Sequence, residues 1–575
     1  MTTSPILART AFTLALPLTL AGCTWLGSAA NDKEQASRGQ AARAPVEITL
    51  VAMNDFHGNL EPSRYTPAAP NGAKAEPIRA GGAEAVAAAL QAWRKQDKDL
   101  LFVSAGDLVG ASPAMSSLWA DEPTIEAMNM LDLRVSAVGN HEFDAGRKEL
   151  LRQQHGGCDS PRPAKACQMA RNYGGARFTY LAANVLDSAT GKPFIPGFRI
   201  VQTKGVKVGL VGAVLQDTQS VVMASGIAGL TFGDEAEAIN RAIPAMRAQG
   251  ADVIVALVHE GGNTRDNPMQ PGCANLKGPI VGIVKKLDPA VRLVITGHTH
   301  QAYLCQVDGR TVTQAASYGH VLTRIAMKVQ QGAPGNVGGI KVENVLMKAG
   351  DFPADEKMAA FMKSVKESSR AALTRPIARL ATAPVLRKQN DAGEAPLGNL
   401  IADAILAATR NQGVQIAFMN EGGIRKDLEA DENQVAAFGQ TQAVLPFGNT
   451  LVVMDLTGAQ IRSLLEQQWK AGSSNGAMLQ VSNGFSYRWD ERRPVGSRVL
   501  GITLDGKPLE DAKTYRVVAN NFLAEGGDNF PEFAKGSNRR ETGLLDLDAF
   551  TDHLRAIEGQ GASLAPAAPR IIKAQ

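Results

Sequence analysis

The sequence lacks long hydrophobic runs and contains few cysteines and few aromatic residues. Of its 575 residues, 5 are Cys and 5% are Phe, Trp or Tyr. Beyond the first two dozen residues, no apolar run approaches the roughly 18–20 residues that span a bilayer. The formal net charge is only +4, which is too small to indicate a nucleic-acid or membrane-surface partner by itself.

The remaining composition is that of a soluble globular protein. Hydrophobic residues make up 44% of the chain and charged residues 20%, which is ordinary for a protein that buries large cores. The length favours about two to four domains over one. The sequence shows no internal repeat and no low-complexity segment within its core regions.

The N-terminus has the pattern of an export signal. The apolar segment Ala11–Leu20 is too short for a membrane span and is typical of a secretory signal peptide. It ends in Leu-Ala-Gly-Cys, which resembles the bacterial lipobox. The resemblance implies that residues 1–22 are a lipoprotein signal peptide and that the thiol of Cys23 carries a lipid. The alternative is an ordinary signal peptide that happens to contain a cysteine.

The residues after Cys23 indicate where an anchored protein would be held. Thr24 stands where Asp usually marks lipoproteins retained at the inner membrane, so the outer membrane is favoured, with the protein facing the periplasm or the cell surface. Residues 23–45 are mostly small and polar, which predicts a flexible tether. We therefore expect contact with the membrane only through the lipid.

The other four cysteines are an even number, which suggests disulfides in an exported protein. Four cysteines permit three pairings. We favour Cys158 with Cys167, which closes a loop rich in Pro and Gly, and Cys273 with Cys305 by elimination. Four free thiols are the alternative, and none of the four has zinc-finger spacing.

Apolar runs alternate with amphipathic segments along most of the chain, which predicts an α/β protein with buried central strands. We place a first domain at residues 46–350. Residues 351–376 contain a charged helical segment stopped by Pro376, and we interpret them as a connector helix. A second, smaller α/β domain occupies residues 377–573.

Five predicted strands of the first domain end in the same kind of motif, in which Asp, Asn or His follows the apolar run. The motifs are Asn54-Asp55-Phe56-His57, Gly106-Asp107, Gly139-Asn140-His141, His259-Glu260 and Gly297-His298-Thr299-His300. Ligands of open α/β sheets bind outside the carboxyl ends of the strands. The five ends would therefore gather these side chains into one pocket.

The ligand types and their spacing predict a metal site. Asp55 and His57 are two residues apart, as are His298 and His300, and extended backbone would place each pair on one face of a strand. Oxygen and imidazole ligands without thiolate suit Mn, Zn, Co, Fe or Mg. Seven such ligands exceed the needs of one ion but suit two ions that share a carboxylate.

Four longer motifs carry a family resemblance. The stretches NDFHGNL, SAGDLVGASP, VGNHEFDAG and TGHTH resemble the calcineurin-like metallophosphoesterases, and in detail the bacterial 5′-nucleotidase/UDP-sugar hydrolase family. The resemblance covers nearly the whole chain after the tether. It implies a four-layer α/β/β/α metallophosphoesterase domain, a connector helix and a C-terminal 5′-nucleotidase domain that binds substrate.

The resemblance also implies a ligand set for two divalent metal ions, with Mn, Zn or Co favoured and Mg admitted. Asp55, His57 and His300 would bind one ion. Asn140, His259 and His298 would bind the other, and Asp107 would bridge the two. Some family members carry Gln in place of His300, so the metal preference of the first site stays open.

Within VGNHEFD, the resemblance assigns His141 and Asp144 as a catalytic dyad, in which Asp144 orients the imidazole near the phosphoryl group. The two residues are three apart where a helix should begin, so they can lie on one face. Cationic imidazole can stabilise charge or assist the leaving oxygen. The alternative for Asp144 is a helix cap. We expect Glu142 to support the site or to lie at the surface.

In the second domain, the motifs NEGGIR, PFGNT and NNFLAEGGDNF match the substrate site of the family. The residues implied are Asn420, Arg425, Phe447, Asn449, Phe522 and Asp528. In the family the two aromatic rings sandwich a nucleobase and the Asp contacts the ribose. Arg387 is a further candidate for phosphate contact. The alternative is that Phe447 and Phe522 are core residues, the usual fate of Phe.

The sequence therefore predicts an exported, metal-dependent phosphomonoesterase of the 5′-nucleotidase type. It would hydrolyse nucleoside 5′-monophosphates, and as a second class UDP-sugars, to nucleoside and phosphate by attack of a metal-bound water. We expect a monomer that acts on nucleotides and not on nucleic-acid polymers. The alternatives are a 2′,3′-cyclic-nucleotide phosphodiesterase/3′-nucleotidase, a thiosulfohydrolase on the same scaffold, and a non-catalytic nucleotide-binding lipoprotein.

Overall fold

The computed structural model describes residues 44–67, 76–332, 337–469, 476–559 and 568–574. Cys23, the signal peptide and nearly all of the tether lie outside the described residues. Residues Pro45–Gln575 form one compact unit. Among the described residues, no helix is both long and apolar enough to cross a membrane.

The first domain is built from two large sheets and the helices outside them. Its strands are β1 (Val46–Met53), β2 (Ser63–Tyr65), β3 (Ile78–Ala80), β4 (Leu101–Ser104), β5 (Leu133–Ala137), β6 (Thr179–Leu181), β7 (Val185–Asp187), β8 (Phe198–Thr203), β9 (Val206–Val214), β10 (Leu230–Phe232), β11 (Val253–His259), β12 (Val291–Thr296), β13 (Ala302–Val307), β14 (Arg310–Ala315), β15 (Val321–Val329) and β16 (Val337–Leu346). Its helices are α1 (Ala83–Gln96), α2 (Ala114–Ser117), α3 (Glu122–Met130), α4 (Gly146–His155), α5 (Thr218–Val221), α6 (Glu235–Ala248) and α7 (Pro279–Lys286).

Each large sheet has six strands, in the orders β16-β15-β1-β4-β5-β6 and β13-β14-β12-β11-β9-β8. Strands β1, β4, β5 and β6 run parallel, and so do β9, β11, β12 and β14. The two sheets share a buried core, which includes Leu50, Val103, Val135, Leu210, Val255 and Leu293. Helix α1 packs outside the first sheet, and α6 and α7 pack outside the second. The predicted α/β/β/α layering is confirmed.

Helix α8 (Glu356–Leu373) follows the first domain and lies inside the segment predicted as a connector. Its N-cap is Asp355, whose carboxylate accepts a hydrogen bond from the Met358 amide at 2.8 Å. The helix ends shortly before Pro376, the residue expected to stop it.

The second domain is also α/β, and its first strand begins at Pro376, one residue before the predicted boundary. Its strands are β17 (Pro376–Arg379), β18 (Ile416–Met419), β19 (Val435–Ala437), β20 (Thr450–Thr457), β21 (Gln480–Val481), β22 (Phe485–Trp489), β23 (Val499–Leu504), β24 (Lys507–Pro508), β25 (Thr514–Asn520), β26 (Ser537–Leu545) and β27 (Ile571–Lys573). Its helices are α9 (Pro396–Thr409), α10 (Phe438–Val444), α11 (Gly458–Glu466), α12 (Asn521–Ala524), α13 (Pro531–Ala534) and α14 (Asp546–Gly559). The main sheet has the order β21-β18-β25-β20-β26, and a four-stranded sheet has the order β24-β23-β22-β27.

The structure pairs the cysteines as the sequence favours. Cys158 is bonded to Cys167 with their Cα atoms 5.6 Å apart, and Cys273 to Cys305 with their Cα atoms 4.4 Å apart. The first disulfide closes the loop after α4. The second joins the loop after β11 to β13, at the outer edge of the second sheet.

Candidate functional site

The carboxyl ends of strands from both large sheets meet at one rim of the first domain. Strands β1, β4 and β5 contribute from the first sheet, and β11 and β12 contribute from the second. The five motifs predicted to converge therefore come from two packed sheets. The face-to-face packing brings the two sets of strand ends together.

Carboxylates and imidazoles stand within ligand distance of one another at this rim. Asp107 Oδ2 lies 3.0 Å from His259 Nε2 and 3.5 Å from His57 Nε2. Asp55 Oδ1 lies 3.4 Å from His300 Nε2. Asp107 is thus central to the cluster, and Asp55 connects it to His300. Nearby, His298 Nδ1 lies 3.1 Å from Asn140 Oδ1, so all seven predicted ligands are brought together.

The backbone of the ligands differs from our expectation. The prediction of extended backbone at the two spaced pairs is wrong, because φ is 50° at Asp55, 48° at His57, 70° at His298 and 53° at His300. Asp107 has φ 53° as well. These residues follow their strands in tight left-handed turns. Such conformations are costly for residues with a side chain and concentrate at functional sites.

Backbone carbonyls fix the orientation of two imidazole rings. His57 Nδ1 lies 2.9 Å from the Gly110 carbonyl oxygen, and His259 Nδ1 lies 2.8 Å from that of Ala105. Since a carbonyl only accepts, each Nδ1 is the donor, and each Nε2 faces the cluster. Metal-bound histidines commonly use this arrangement.

The donor set fits divalent ions. His259 Nε2 is buried without a hydrogen bond of acceptable geometry, although Asp107 Oδ2 is only 3.0 Å away. An imidazole nitrogen and a carboxylate oxygen that converge in this way can act as ligands of a shared metal ion. The set contains oxygen and imidazole donors and no thiolate, which suits ions such as Mn²⁺ or Zn²⁺.

The charges of the cluster also favour cations. Burial by itself would raise the pKa of Asp107, but the neighbouring imidazoles of His259 and His141 lower it well below its usual range. Burial would lower the pKa of His259, but Asp107 and Asp55 raise it to about 10. The buried carboxylates thus hold a proton on His259. A divalent ion would release such a proton on binding.

One glycine makes the close approach of two strand ends feasible. A Cβ atom on Gly139 would stand 2.1 Å from Asp107 Oδ1 and 2.6 Å from His259 Cε1. Both atoms belong to predicted ligands that are buried and held by other contacts. Only glycine therefore fits at residue 139.

Glu142 is a supporting residue whose importance the sequence understated. Its buried carboxylate accepts hydrogen bonds from the backbone amides of Asp107 at 2.9 Å, Leu108 at 2.7 Å and Gly139 at 2.5 Å. It ties the end of β4 to the end of β5. The sequence shows an acidic residue next to His141, which could have drawn attention to Glu142. Two of the three amides that Glu142 binds lie more than thirty residues away in the sequence, so these contacts could not be predicted.

His141 and Asp144 form a contact pair as predicted from their spacing. His141 Nδ1 lies 2.9 Å from Asp144 Oδ2, in a 3-10 turn over His141–Phe143 that precedes α4. Asp144 Oδ2 also accepts from the Ala111 amide at 3.1 Å. Burial would lower the pKa of His141, but Asp144 and Asp107 raise it above its ordinary value. The imidazole is therefore biased toward its cationic form.

A cavity of about 220 Å³ lies between the rim of the first domain and the second domain. From the first domain it is lined by Asn140, His141, Asp144, Val221, Val222, Met223 and His298. From the second it is lined by Asn420, Gly422, Gly423, Arg425, Phe447, Gly448, Asn449, Phe522 and Asp528. Six of the seven substrate residues predicted from the sequence thus share one cavity with the dyad.

The two predicted aromatic residues are partly exposed in this cavity and are not core residues. The ring of Phe447 stacks on that of His141 with centroids 5.7 Å apart and planes 23° apart. The Arg425 guanidinium lies 5.9 Å from the Phe447 centroid. The ring of Phe522 rests against Gly527, where a Cβ atom would stand 2.4 Å from Phe522 Cε2.

The polar residues of the second domain are fixed by one another. Asn420 Nδ2 donates to Asp528 Oδ2 at 2.7 Å, and Asn420 Oδ1 accepts from Asn520 Nδ2 at 3.0 Å. Asp528 has φ 54°, another left-handed residue at the candidate site. Asn449 is 9% exposed. These groups present a rigid polar edge beside the two rings.

Arg387 is not among the residues that line this cavity, and its contact with phosphate stays a prediction. Its guanidinium donates to the Ile424 carbonyl oxygen at 2.8 Å, and its backbone amide donates to Asp427 Oδ1 at 2.8 Å. It lines an adjoining cavity of about 360 Å³, which shares Asn420, Gly422 and Asp528 with the first. Arg387 therefore supports the loop that carries Arg425.

Lys426 is a residue of the site that the sequence analysis missed. It extends from the second domain and donates from Nζ to Asn59 Oδ1 at 2.9 Å, and it lies 5.1 Å from the Tyr318 ring centroid. Asn59 Nδ2 in turn donates to the His57 carbonyl oxygen at 3.0 Å. Burial lowers the pKa of Lys426 to about 8. No pattern within the sequence relates Lys426 to Asn59, which is 367 residues away.

Comparison with protein families identifies both domains. The family of calcineurin-like phosphoesterases matches residues 48–302, and the 5′-nucleotidase C-terminal domain matches residues 376–535. The chain belongs to the 5′-nucleotidase family. The first match contains all seven predicted metal ligands, and the metal-dependent phosphoester hydrolase class predicted from the motifs is that of the family.

Three relatives show how the family varies. The chain is 29% identical over 92% of its length to "Endonuclease YhcR" of Bacillus subtilis and 32% identical over 87% to "Cell wall protein Lmo0130" of Listeria monocytogenes. It spans only 42% and 66% of the length of these two relatives. A 5′-nucleotidase precursor from Thermus thermophilus has a similar structure, with 29% identity, a TM-score of 0.73, and coverage of 92% of this chain and 99% of the other.

Proposed function

We propose that this protein is an exported phosphomonoesterase that uses two divalent metal ions to hydrolyse nucleoside 5′-monophosphates to nucleoside and phosphate. UDP-sugars are a second substrate class. The observation that carries the proposal is the shared cavity, in which His141 and His298 face Arg425, Phe447 and Phe522. A nucleotide has a phosphate at one end and a flat base at the other, and this cavity offers a partner for each.

Residues of the first domain would bind the metal ions and act on the phosphoryl group. One ion would be held by Asp55, His57 and His300, and the other by Asn140, His259 and His298. Asp107 would bind both ions. Two bound ions would supply an activated water and neutralise phosphoryl charge. His141, oriented by Asp144, would stabilise charge on the phosphoryl group or protonate the leaving oxygen.

The second domain would hold the rest of the nucleotide. Stacking of a base on Phe447 and Phe522 is worth roughly 1–3 kcal/mol per base. Asp528 and Asn420 would contact the ribose, and Asn449 the base edge. Arg425 presents a planar cation suited to a phosphate oxygen.

The cavity is too small to admit the substrate unless part of the protein moves. Its volume of about 220 Å³ is below the roughly 300 Å³ at which sites for drug-sized ligands begin. Phe447 occupies the space against His141. Substrate entry would therefore displace this ring, for which a rotation of the second domain about the α8 connector is the simplest route.

We further propose that the protein is anchored through a lipid on Cys23 at the outer membrane and acts as a monomer. The lipobox-like sequence and Thr24 support the anchor. The two disulfides support export, since disulfides persist in oxidising compartments.

The test is phosphate release by the chain from residue 27 onward after reconstitution with Mn, Zn, Co or Mg. The substrates are AMP, 3′-AMP, 2′,3′-cyclic AMP, UDP-glucose and bis-p-nitrophenyl phosphate. We expect AMP to be preferred. The variants Phe447→Ala and Phe522→Ala should lose that preference and retain the artificial ester, while Phe194→Ala, which alters a half-buried ring of the first domain, should behave as wild type.

Two outcomes would favour the other functions. Preference for 2′,3′-cyclic AMP and 3′-AMP would indicate a cyclic phosphodiesterase/3′-nucleotidase, and turnover confined to a thiosulfonate substrate would indicate a thiosulfohydrolase. Tight AMP binding without turnover of any substrate by any metal form would indicate a non-catalytic nucleotide-binding lipoprotein.

A further inference from the structure

Two adjoining cavities lie away from the candidate active site, the larger between the first domain and the connector helix α8 and the smaller within the first domain. The larger, of about 520 Å³, is lined in part by Arg94, Lys95, Arg177 and Lys357. The smaller, of about 320 Å³, is lined in part by Arg134, Arg177 and Arg199. Arg177 and Asn129 belong to both. Six cationic side chains thus surround one continuous surface, which we name the cationic face.

Several cations of this face are poorly neutralised. Within the described residues, neither Lys95 nor Lys357 has an ion-pair or hydrogen-bond partner. Arg177 has Glu126 only at 3.9 Å, and both side chains are exposed. An exposed ion pair at such a distance contributes little and leaves both charges accessible to solvent.

The carboxylates that line the two cavities do not cancel this charge. Asp355 is already bound to Gln91 Nε2 at 2.9 Å and to the Met358 amide at 2.8 Å. Asp132 lies 3.5 Å from Arg134, with both side chains exposed. With Glu126 counted beside Arg177, three carboxylates stand against six cations, so the face retains positive charge for an external partner.

The floor of the larger cavity is apolar. Ala87, Met130, Leu131 and Met358 line it, and three of these are buried. A free phosphate ion would use the cations but not this floor. A ligand that combines an anionic phosphate with an apolar part would use both, and a phospholipid at the surface of a bilayer is such a ligand.

The position of the face supports the same ligand. Strands β1, β4, β5 and β6 are parallel, so their amino ends share one edge of the sheet, opposite the candidate active site. Arg177 precedes β6, and Arg134 is the second residue of β5. The length of β1, eight residues, separates the two edges by roughly 25 Å.

The described chain begins at this same edge. Lys204 Nζ donates to the Glu47 carbonyl oxygen at 3.1 Å and to Asp97 Oδ2 at 2.7 Å. Asp97 directly follows α1, whose last turn carries Arg94 and Lys95. The described chain therefore begins next to the cationic face, so an anchor on Cys23 would tether the protein from the side that carries this face.

We propose that the cationic face binds the headgroups of anionic phospholipids and seats the protein on a bilayer with its active site directed away. Each cation near an anionic bilayer strengthens binding about fivefold, so the face would orient a protein that a tether alone leaves free to tumble. The proposal uses the anchor on Cys23 proposed above and replaces the expectation that the protein contacts the membrane only through the lipid. It is independent of the reaction that the active site catalyses.

The test uses the compact unit from Pro45 onward, which carries no lipid, with vesicles of phosphatidylcholine alone or mixed with an equal part of phosphatidylglycerol. We compare the wild type with Lys95→Gln/Arg177→Gln. The matched control is Arg488→Gln/Arg540→Gln, which removes the same charge from exposed sites of the second domain. Co-sedimentation is measured at low and high salt.

We expect binding only to the anionic vesicles, weakened by salt. The face variant should bind about fivefold less for each cation removed, while the control should bind as the wild type. AMP hydrolysis in solution should be the same in all three. Equal binding by the face and control variants, binding to pure phosphatidylcholine, or full displacement by millimolar inorganic phosphate would overturn the proposal, the last by showing a site for free phosphate.

Discussion

The metal rim of the first domain and the substrate side of the second domain are built differently. The rim places buried residues directly after strands of two packed sheets, with rings fixed by backbone carbonyls, as His259 is by Ala105. The substrate side uses partly exposed rings on loops, such as Phe447, whose neighbours His141 and Arg425 belong to two different domains. The rim is therefore preorganised by packing, while the substrate side depends on how the domains meet.

This difference assigns different consequences to mutations. A change at the rim should disturb metal binding and hence every substrate. A change on the substrate side should affect nucleotides and spare a small artificial ester. Each of the following predictions tests whether the two regions differ in this way.

The broadest effect, on bound metal as well as on turnover, is expected from Gly139→Ala. The added Cβ would stand 2.1 Å from Asp107 Oδ1, so Asp107 or β5 must shift by about an ångström. Misplacement of that size costs on the order of 100-fold in turnover, and we expect metal content to fall as well. Turnover of all substrates and bound metal per chain are measured. Gly282→Ala is the control, because a Cβ there meets open space; normal metal content in Gly139→Ala would contradict the close packing of the rim.

The next prediction concerns turnover alone and uses the variant His141→Ala. His141 is not among the predicted metal ligands, so metal content should stay at the wild-type value. Loss of a positioned acid or base costs roughly 100- to 10,000-fold, and the loss should apply to AMP and to bis-p-nitrophenyl phosphate alike. Steady-state rates and metal analysis check this. A variant with unchanged activity would remove His141 from the chemistry.

The sequence was sufficient to predict much of the rim and less of the substrate side, for a physical reason. Asp55, Asp107 and His259 follow apolar strand sequences, so each is predicted at the carboxyl end of its strand, and the packing of the two sheets brings the three together. The left-handed backbone of Asp55 and His57 could not be predicted, because it depends on contacts with the loop after β4, such as the amide of His57 donating to the Asp107 carbonyl at 2.9 Å.

Contacts between residues far apart in the sequence could not be predicted from sequence patterns. Arg387 was named as a candidate for phosphate contact from the stretch VLRKQN, and in the structure its guanidinium donates to the Ile424 carbonyl oxygen. Lys426 follows Arg425 directly, yet the two enter different parts of the interface. Of two neighbouring positions, one can thus line the cavity and the other make a domain contact, and only the tertiary structure distinguishes them.

Lys426→Met should reduce AMP turnover without affecting the artificial ester. Lys426 connects the second domain to Asn59, and Asn59 holds the carbonyl of His57. A hydrogen bond to a charged group contributes about 1.5–3 kcal/mol, so we expect kcat/KM for AMP to fall at least about tenfold. Lys426→Arg should recover part of the loss. A parallel loss with bis-p-nitrophenyl phosphate would show that Lys426 supports the metal site and not the meeting of the domains.

The smallest effect concerns stability, and its pH dependence has a definite sign. Burial lowers the pKa of Lys426 to about 8 in the folded protein, against roughly 10.4 in an unfolded chain. Below pH 8 both states carry the proton, and the folded state bears the whole cost of the buried charge. Between about pH 8 and 10.4 the unfolded chain binds more protons than the folded one, so the stability of the wild type rises relative to a variant without the lysine.

Lys426→Met should therefore melt no lower than the wild type at pH 7, because an apolar side chain of similar length often replaces a buried charge without loss. Any difference in melting temperature in favour of Lys426→Met should become smaller as the pH rises from 8 toward 10. Melting temperatures at several pH values test this, with Lys388→Met, which alters an exposed lysine, as the control. A variant that melts well below the wild type at pH 7 would mean that the bond to Asn59 outweighs the cost of burial. The contact between domains would then be a source of stability as well as of alignment.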